Sequence, residues 1–225
     1  MSEMVYVSEV PAGTRRPARK VSIDETLTTA MNMFLAVLAL VFLAPVMLAV
    51  GLAIYLQDGG AVVFAHRRIG RGGRYFYCLK FRSMAADAEQ RLAELLARDP
   101  EARAEWEKDH KLRNDPRVTK LGAFLRKTSL DELPQLFNVL RGEMSLVGPR
   151  PIVDAEIAKY GRRFRSYCAV KPGITGLWQV SGRNDVSYRT RVALDCVYAR
   201  QRNLLLDGRI IAATVPAVLA RRGSY

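Results

Sequence analysis

An uncharged segment of 26 residues, from Met31 to Leu56, constrains the fold of this chain more than any other feature. As a helix rising about 1.5 Å per residue it would reach roughly 39 Å, which is enough to cross a bilayer core of about 30 Å. A core helix of a soluble protein is rarely this long and this uniformly apolar. The segment therefore predicts a membrane helix.

Pro45 lies near the middle of this segment, where proline removes one backbone hydrogen bond and kinks a helix. Each limb alone has about 11 to 14 residues, or roughly 20 Å, which is too short to span a bilayer. Cations flank both ends, and the positive-inside tendency keeps both flanks in the cytoplasm. We therefore predict a re-entrant helix that bends at Pro45; a kinked single span is the alternative. The flanking cations are Arg15, Arg16, Arg19, Lys20, Arg67, Arg68, Arg71 and Arg74.

Composition restricts the kind of partner. A formal net charge of +13 and a pI near 10.0 indicate an anionic partner, which is a nucleic acid, an anionic lipid or a phosphorylated substrate. The three cysteines have no metal-ligand spacing, which favours reduced thiols in a cytoplasmic environment. His66 and His110 are the two histidines and lie far apart in sequence, so a histidine-based zinc site or catalytic triad is disfavoured.

The chain divides into three parts. Residues 1–22 are basic and lack apolar periodicity, which predicts a flexible tail. Residues 23–57 form the membrane helix, broken at Pro45, and residues 58–225 form a cytosolic domain. Two short β-like runs around the glycines of residues 70–73 predict a hairpin at the start of that domain.

Helices are predicted for most of the remaining domain. Residues 85–112 read as two helices that break near Asp99-Pro100, and residues 118–127 read as a short amphipathic helix. Residues 171–176 are predicted to be a loop. Residues 204–221 read as a helix interrupted by Pro216, either an interfacial helix or an ordinary core helix. The predicted fold class is α+β and mostly helical: a re-entrant membrane helix and interfacial helices with a small β-hairpin around a compact domain.

Adjacent carboxylates mark the candidate site. Asp131 and Glu132 follow Ser129 at the predicted start of a helix, where Ser129 and Glu132 have the spacing of a capping box. In one interpretation Glu132 only satisfies backbone amides. In the other, the helix start favours an ionised, low-pKa Asp131 and attracts phosphate.

Two arginines favour the second interpretation. Arg126 precedes the carboxylates by about a turn and a half and could clamp a diphosphate through both arms of its guanidinium. Arg150 is presented by a loop that two prolines, Pro149 and Pro151, make rigid. A carboxylate pair among arginines suits the joint binding of a divalent metal and a phosphate, which indicates phosphoryl chemistry.

The series of motifs resembles the monotopic polyprenyl-phosphate phosphoglycosyl transferases, the bacterial sugar transferases that begin exopolysaccharide and glycan assembly. The likeness covers roughly residues 27–225 and is strongest to the galactosyl-phosphate transferases of exopolysaccharide synthesis. One departure is Ala44 before Pro45, where the family often has serine. The motifs are the proline-broken helix, Lys80-Phe-Arg-Ser-Met84, Arg126 with Ser129-Leu-Asp-Glu-Leu-Pro134, Val147-Gly-Pro-Arg-Pro151, Pro172-Gly-Ile-Thr-Gly176, Gln179-Val-Ser-Gly-Arg-Asn184 and the C-terminal Arg-Gly-Ser-Tyr.

The resemblance implies a two-step reaction. Asp131 stands at the position of the nucleophile that attacks a UDP-sugar, releases UMP and retains the phosphosugar, which is then passed to undecaprenyl phosphate. Glu132 matches the second acid of the pair, and Arg126, Arg150 and Lys80 match positions near the phosphates. Mg²⁺, held at Asp131 and Glu132, would neutralise the diphosphate.

The implied location is the cytoplasmic face of the bacterial inner membrane, among its lipids, with no nucleic-acid partner. Galactose 1-phosphate is the expected cargo, and the same chemistry with another UDP-hexose such as glucose or an N-acetylhexosamine is the alternative. A different class, a non-catalytic membrane-tethered basic protein that binds anionic lipid or nucleic acid, explains the charge but not the Asp131–Glu132 pair. The sequence leaves homo-oligomerisation open.

Overall fold

The computed structural model describes residues 23–109, 112, 115–182 and 186–219. The predicted tail, residues 1–22, lies outside the described residues. The helices are α1 (Ile23–Asp58), α2 (Ala88–Arg98), α3 (Pro100–Asp109), α4 (Lys120–Thr128), α5 (Gln135–Leu140), α6 (Ile157–Tyr160), α7 (Phe164–Tyr167), α8 (Leu177–Val180), α9 (Tyr188–Gln201) and α10 (Leu204–Leu219). The strands are β1 (Val63–Ile69), β2 (Tyr75–Phe81), β3 (Ser145–Val147) and β4 (Gly173–Thr175). The α+β, mostly helical class is confirmed.

Helix α1 is the apolar segment. It has 36 residues, about 54 Å of helix, and among the described residues it is the helix long and apolar enough to cross a membrane. The helix continues through Pro45. A break at Pro45 is therefore not confirmed, and the re-entrant path stays a prediction.

Both halves of α1 pack against the domain that follows it. Ala36 in the first half is fully buried in a cluster with residues of β2 and α5, and Asn32 accepts a hydrogen bond from the backbone of Leu146 in β3. Ile54 in the second half lies in another cluster, with residues of β2 and α4. Other apolar residues are exposed all along the helix, and Phe42 is 83% exposed. The helix is thus held to the domain in both halves and also presents apolar residues outward.

The predicted hairpin is confirmed. Strands β1 and β2 are antiparallel, with Val63 opposite Phe81 and Ile69 opposite Tyr75, and a 3-10 turn at Arg71–Gly73 joins them. On the other edge of β2, buried Asn138 of α5 accepts a hydrogen bond from the Leu79 amide and donates one to the Tyr77 carbonyl. An amide side chain thereby satisfies backbone groups that a third strand would otherwise have paired.

The second sheet was not predicted. Strands β3 and β4 are parallel, with Ser145 opposite Gly173 and Val147 opposite Thr175. The interpretation of residues 171–176 as a loop was therefore wrong for Gly173–Thr175. A Cβ on Gly148 would lie 2.5 Å from the Lys171 carbonyl oxygen, so the close approach of these two segments requires glycine.

The predicted break between two helices near Asp99-Pro100 is confirmed, because α2 ends at Arg98 and α3 starts at Pro100. Helix α10 continues through Pro216, so the predicted interruption there was wrong. One side of α10 is in the core, where Ile210 is buried, while Leu205 is 66% exposed. One face of α10 therefore packs in the core, and another face is apolar and exposed.

Candidate active site

The Asp131–Glu132 pair lies in a 3-10 turn, Leu130–Glu132, between α4 and α5. The capping-box interpretation was wrong: Ser129 has the left-handed conformation, with φ of 58°, and its side chain caps no helix. The backbone amide of Glu132 bonds to the Ser129 carbonyl instead. The turn, together with the close contact of β2, directs both carboxylates towards the hairpin.

Lys80 of β2 lies against both carboxylates. Its Nζ is 2.7 Å from Glu132 Oε1 and 3.7 Å from Asp131 Oδ2. Arg150 approaches from the other side, with Nη1 3.7 Å from Glu132 Oε1, and its side chain is about half exposed. The structure therefore brings together Lys80, Asp131, Glu132 and Arg150 as predicted from the sequence.

Arg126 is held at the edge of this group. Its Nε donates to Ser83 Oγ at 2.9 Å, which fixes the guanidinium beside the strand that carries Lys80. Helix α4 comes this close because Gly122 has no side chain; a Cβ there would lie 1.8 Å from the Ser83 carbonyl oxygen. Pro45 lies within α1.

Asp131 has an unusual electrostatic setting. Its residue is 8% exposed, and burial raises the pKa of its carboxyl above the ordinary value. Lys80 opposes that effect, adjacent Glu132 adds to it, and Arg126 and Arg150 lower the pKa again. The expectation of a low pKa at Asp131 was therefore wrong, because desolvation outweighs the cations. A partly desolvated carboxylate is a better nucleophile than a fully hydrated one.

Sequence reasoning missed several residues that line the cavity beside Glu132. Arg68 of β1 donates to the Pro151 carbonyl, lies 3.9 Å from Glu156, and thus supports the loop that presents Arg150. Gln135, which is 3% exposed, forms part of the wall. The lining residues are Arg68, Cys78, Lys80, Glu132, Gln135, Arg150, Pro151, Gly173 and Ile174. Strand alternation could have placed Arg68 on the face of Lys80, had the hairpin register been known.

A metal at this site would need ligands from the substrate. Within the described ranges, no group of three or more His, Cys, Asp or Glu side chains is arranged to hold an ion. Asp131 and Glu132 still fit Mg²⁺, which is commonly held by one or two carboxylates together with substrate phosphates. Cations also surround the carboxylates, so the cavity as a whole suits a diphosphate.

Comparison with known proteins assigns the family. The family model described as "Bacterial sugar transferase" matches residues 23–221. The chain belongs to the bacterial sugar transferase family. The match includes α1 and every residue of the candidate site, so the predicted resemblance is confirmed.

Curated members of the family are similar over most of the chain. A UDP-galactose-lipid carrier transferase from Erwinia amylovora is 57% identical over 75% of the chain and 35% of its own length. An undecaprenyl-phosphate galactose phosphotransferase from Salmonella typhimurium is 53% identical over 84% of the chain and 40% of its own length. The exopolysaccharide production protein ExoY of Sinorhizobium fredii is 50% identical over 87% of both chains. The chain thus spans less than half the length of the first two relatives and most of the third.

Proposed function

We propose that the chain transfers a hexose 1-phosphate, galactose 1-phosphate in particular, from a UDP-sugar to undecaprenyl phosphate and releases UMP. The observation that carries this proposal is the position of Asp131: a buried carboxylate 3.7 Å from Lys80 and adjacent to Glu132, where Lys80, Glu132 and Arg150 together line a cavity. The names of the similar sugar transferases support the substrate classes, since two of them refer to galactose and a lipid carrier or undecaprenyl phosphate.

In the first step, Asp131 Oδ attacks the β-phosphorus of the UDP-sugar, and the bond from that phosphorus to the UMP oxygen breaks. Lys80 and Arg150 hold the diphosphate oxygens and offset their charge. The phosphosugar stays on Asp131 as an acyl phosphate. Dividing one displacement into two makes each step easier and lets UMP leave before the lipid acceptor reacts.

In the second step, an oxygen of undecaprenyl phosphate attacks the same phosphorus, and the bond to Asp131 breaks. The product is an undecaprenyl-diphosphate sugar, and the carboxylate is restored. Glu132, paired with Lys80, can take the acceptor proton where the acceptor phosphate arrives protonated. Mg²⁺, held by Asp131 and Glu132 with the substrate phosphates, would supply charge neutralisation of the diphosphate.

The packing of α1 supports a re-entrant path. Its contacts at Ala36 and Ile54 are 18 residues, about 27 Å of helix, apart, yet both lie on the same domain. A helix held at both halves by a water-soluble domain cannot pass straight through a bilayer. The apolar residues exposed along the helix, among them Val41 and Phe42, are the part that would contact the lipid. We place the domain at the cytoplasmic face of the inner membrane, where UDP-sugars are available and the acceptor phosphate lies at the interface.

The test is mass spectrometry of the intact protein after incubation with UDP-galactose, UDP-glucose or UDP-N-acetylhexosamines and Mg²⁺, without acceptor. A gain in mass of one phosphohexose, located on Asp131 by peptide mapping and absent in Asp131→Asn, is expected. The adduct should disappear when undecaprenyl phosphate is added. UMP release only in the presence of acceptor, with no adduct, would replace the covalent route by direct transfer. No turnover of any donor with acceptor present would reject the proposed activity.

A further inference from the structure

Two aromatic residues of β1 lie on the catalytic face of the hairpin. In the strand register Phe64 is opposite Lys80 and His66 is opposite Cys78. Directly opposite residues of an antiparallel pair project to the same face, as do alternate residues of one strand. Lys80, Cys78 and Arg68 line the cavity beside Glu132. Phe64 and His66 therefore share the face of the sheet that forms the cavity wall.

The aromatic pair is exposed and lies opposite two residues that line the cavity. Phe64 is 54% exposed, and its ring centroid is 5.9 Å from that of His66, with the planes inclined by 52°. Within the described part of the chain, neither ring belongs to a buried core cluster. Two touching rings beside a charged cavity form an apolar surface that no described core residue covers.

His66 has a defined hydrogen-bonding state. Its Nδ1 is 3.2 Å from Nη2 of Arg68, and because a guanidinium can only donate, Nδ1 accepts. The ring proton of the neutral imidazole then lies on Nε2. Burial and the charges of Arg68 and Lys80 lower the pKa of His66, which agrees with a neutral ring. His66 thus offers one N–H donor next to the ring of Phe64.

The cations of the cavity wall, together with Glu132, suit the diphosphate, which is the same in every UDP-hexose. Galactose and glucose differ only at the C4 hydroxyl, which is axial in galactose. The axial position leaves the hydrogens on C3, C4 and C5 together as an apolar patch on one side of the sugar, and aromatic rings bind that patch by stacking.

We propose that Phe64 and His66 form the hexose subsite of the donor, with their rings against the apolar patch of a galacto-configured sugar and His66 Nε2–H donating to a sugar hydroxyl. The inference rests on the proposed function and deepens it by naming the residues that select the sugar. It accounts for an exposed phenylalanine one strand away from Lys80 and for the fixed tautomer of His66.

The test measures kcat/KM for UDP-galactose and for UDP-glucose, by UMP release with undecaprenyl phosphate as acceptor. The wild type should prefer UDP-galactose. Phe64→Ala and His66→Ala should each reduce the ratio of the two kcat/KM values by about tenfold, mainly through loss with UDP-galactose. The matched control is Tyr77→Ala, because Tyr77 is 61% exposed on the same hairpin but on the opposite face. This control should leave the ratio unchanged.

Two milder variants guard against misfolding. Phe64→Leu keeps an apolar side chain without a ring, and His66→Gln keeps an N–H donor without aromatic character; each should lower the ratio less than alanine does. A ratio that the Phe64 and His66 variants leave unchanged would overturn the subsite. So would a wild type that prefers UDP-glucose. Absence of UMP release from the wild type with either donor would instead reject the proposed function.

Discussion

Asp131 and Asp195 are both buried aspartates, and the contrast between their surroundings separates the reactive region of the molecule from its aromatic core. Asp131 is 8% exposed and Asp195 is 2% exposed, and burial raises the pKa of each carboxyl. Asp131 is surrounded by cations, with Lys80 foremost among them. Asp195 instead accepts a hydrogen bond of 2.6 Å from the hydroxyl of Tyr160.

The consequence is a difference in the groups that oppose the effect of burial. The cations around Asp131 counter the effect of desolvation and favour its ionised form, which is the form that can attack phosphorus. At Asp195 a single hydroxyl opposes the effect of desolvation, and the pKa of the carboxyl rises to about 7. Two buried carboxyls thus have different neighbours, which are cations at the proposed nucleophile and a single hydroxyl at Asp195. We expect these neighbours, acting on carboxyls that are both desolvated, to separate their roles.

The largest effect is expected from exchanging each carboxyl for its amide. Asp131→Asn should reduce UMP release at least about a thousandfold, because the nucleophile is lost, while the thermal midpoint changes by a few degrees at most. Asp195→Asn should instead change the thermal midpoint by more than Asp131→Asn does, and it should keep UMP release within about tenfold in the folded protein. UMP assays and thermal denaturation of the two variants in the same detergent would check this. Near-normal UMP release by Asp131→Asn would remove the distinction between the two sites.

Removing the cation nearest to Asp131 should make that site more like the Asp195 site. Lys80→Gln should raise the pKa of Asp131, because Lys80 is the strongest group that lowers it. The activity should fall about 10²- to 10³-fold at neutral pH, through weaker binding of phosphate charge and a smaller ionised fraction. The acidic limb of the pH profile of kcat/KM should also move to higher pH.

Lys127→Gln is the control for this change, since it removes the same charge from an exposed position one residue after Arg126. It should leave both the rate and the acidic limb unaltered. An acidic limb that stays in place in Lys80→Gln, despite a lower rate, would show that Lys80 binds substrate without influencing Asp131.

The sequence reveals those features of the site that depend on neighbouring residues or on residue type. Lys80, Asp131, Glu132 and Arg150 were all assigned from motifs. In the structure Lys80 is within ion-pair range of both carboxylates, and Arg150 is within ion-pair range of Glu132. The apolar length of α1 and the glycine-rich turn of the hairpin are also local, and both were predicted. These features depend on residues that are close in sequence or on residue types with few alternative uses.

The missed features depend on contacts across the chain. The pairing of β3 with β4 joins three-residue strands far apart in sequence, and strands so short carry no periodicity. The spacing of Ser129 and Glu132 fits a capping box, but the backbone of Ser129 is in the left-handed conformation. The segment packs against β2, which is a contact between residues far apart in sequence. The raised pKa of Asp131 follows from burial, which no local pattern reports.

The next prediction concerns the pH dependence of stability around Asp195. Its folded pKa of about 7 lies above the ordinary value of 3.8, so the folded state binds a proton more tightly than the unfolded state between these values. The stabilising contribution is complete below about pH 4 and is lost as the pH rises through about 7. At about 1.4 kcal/mol per pH unit, the loss amounts to as much as about 4 kcal/mol.

Asp195→Asn lacks this titration. The unfolding free energy of the wild type, relative to that of the variant, should therefore decrease by about 2 to 4 kcal/mol from pH 4 to pH 8. Denaturation at several pH values measures it, and Asp131 cancels because it is present in both proteins. A constant difference across this range would show that Asp195 has the same pKa folded and unfolded.

The smallest expected effect comes from removing the hydroxyl that faces Asp195. Tyr160→Phe keeps the ring and its edge contacts with Tyr167 and Tyr188 but deletes the donor to the carboxylate. The loss should be about 1 to 3 kcal/mol at pH 8, where Asp195 is ionised, and less at pH 5. Because the Tyr160 hydroxyl lowers the pKa of Asp195, that pKa should also rise in the variant, and the pH-dependent loss of stability should extend to higher pH.

Tyr188→Phe is the matched control for this last change. Its hydroxyl donates to Glu156 at 3.2 Å, and its ring packs edge-on against Tyr160, so the substitution removes one hydroxyl from the same aromatic group without breaking the bond to Asp195. The pH window of stability should therefore shift in Tyr160→Phe and stay in place in Tyr188→Phe. Equal behaviour of the two variants would mean that the aromatic packing, and not the single hydroxyl, sets the charge of Asp195. The contrast with Asp131 would then rest on the cations alone.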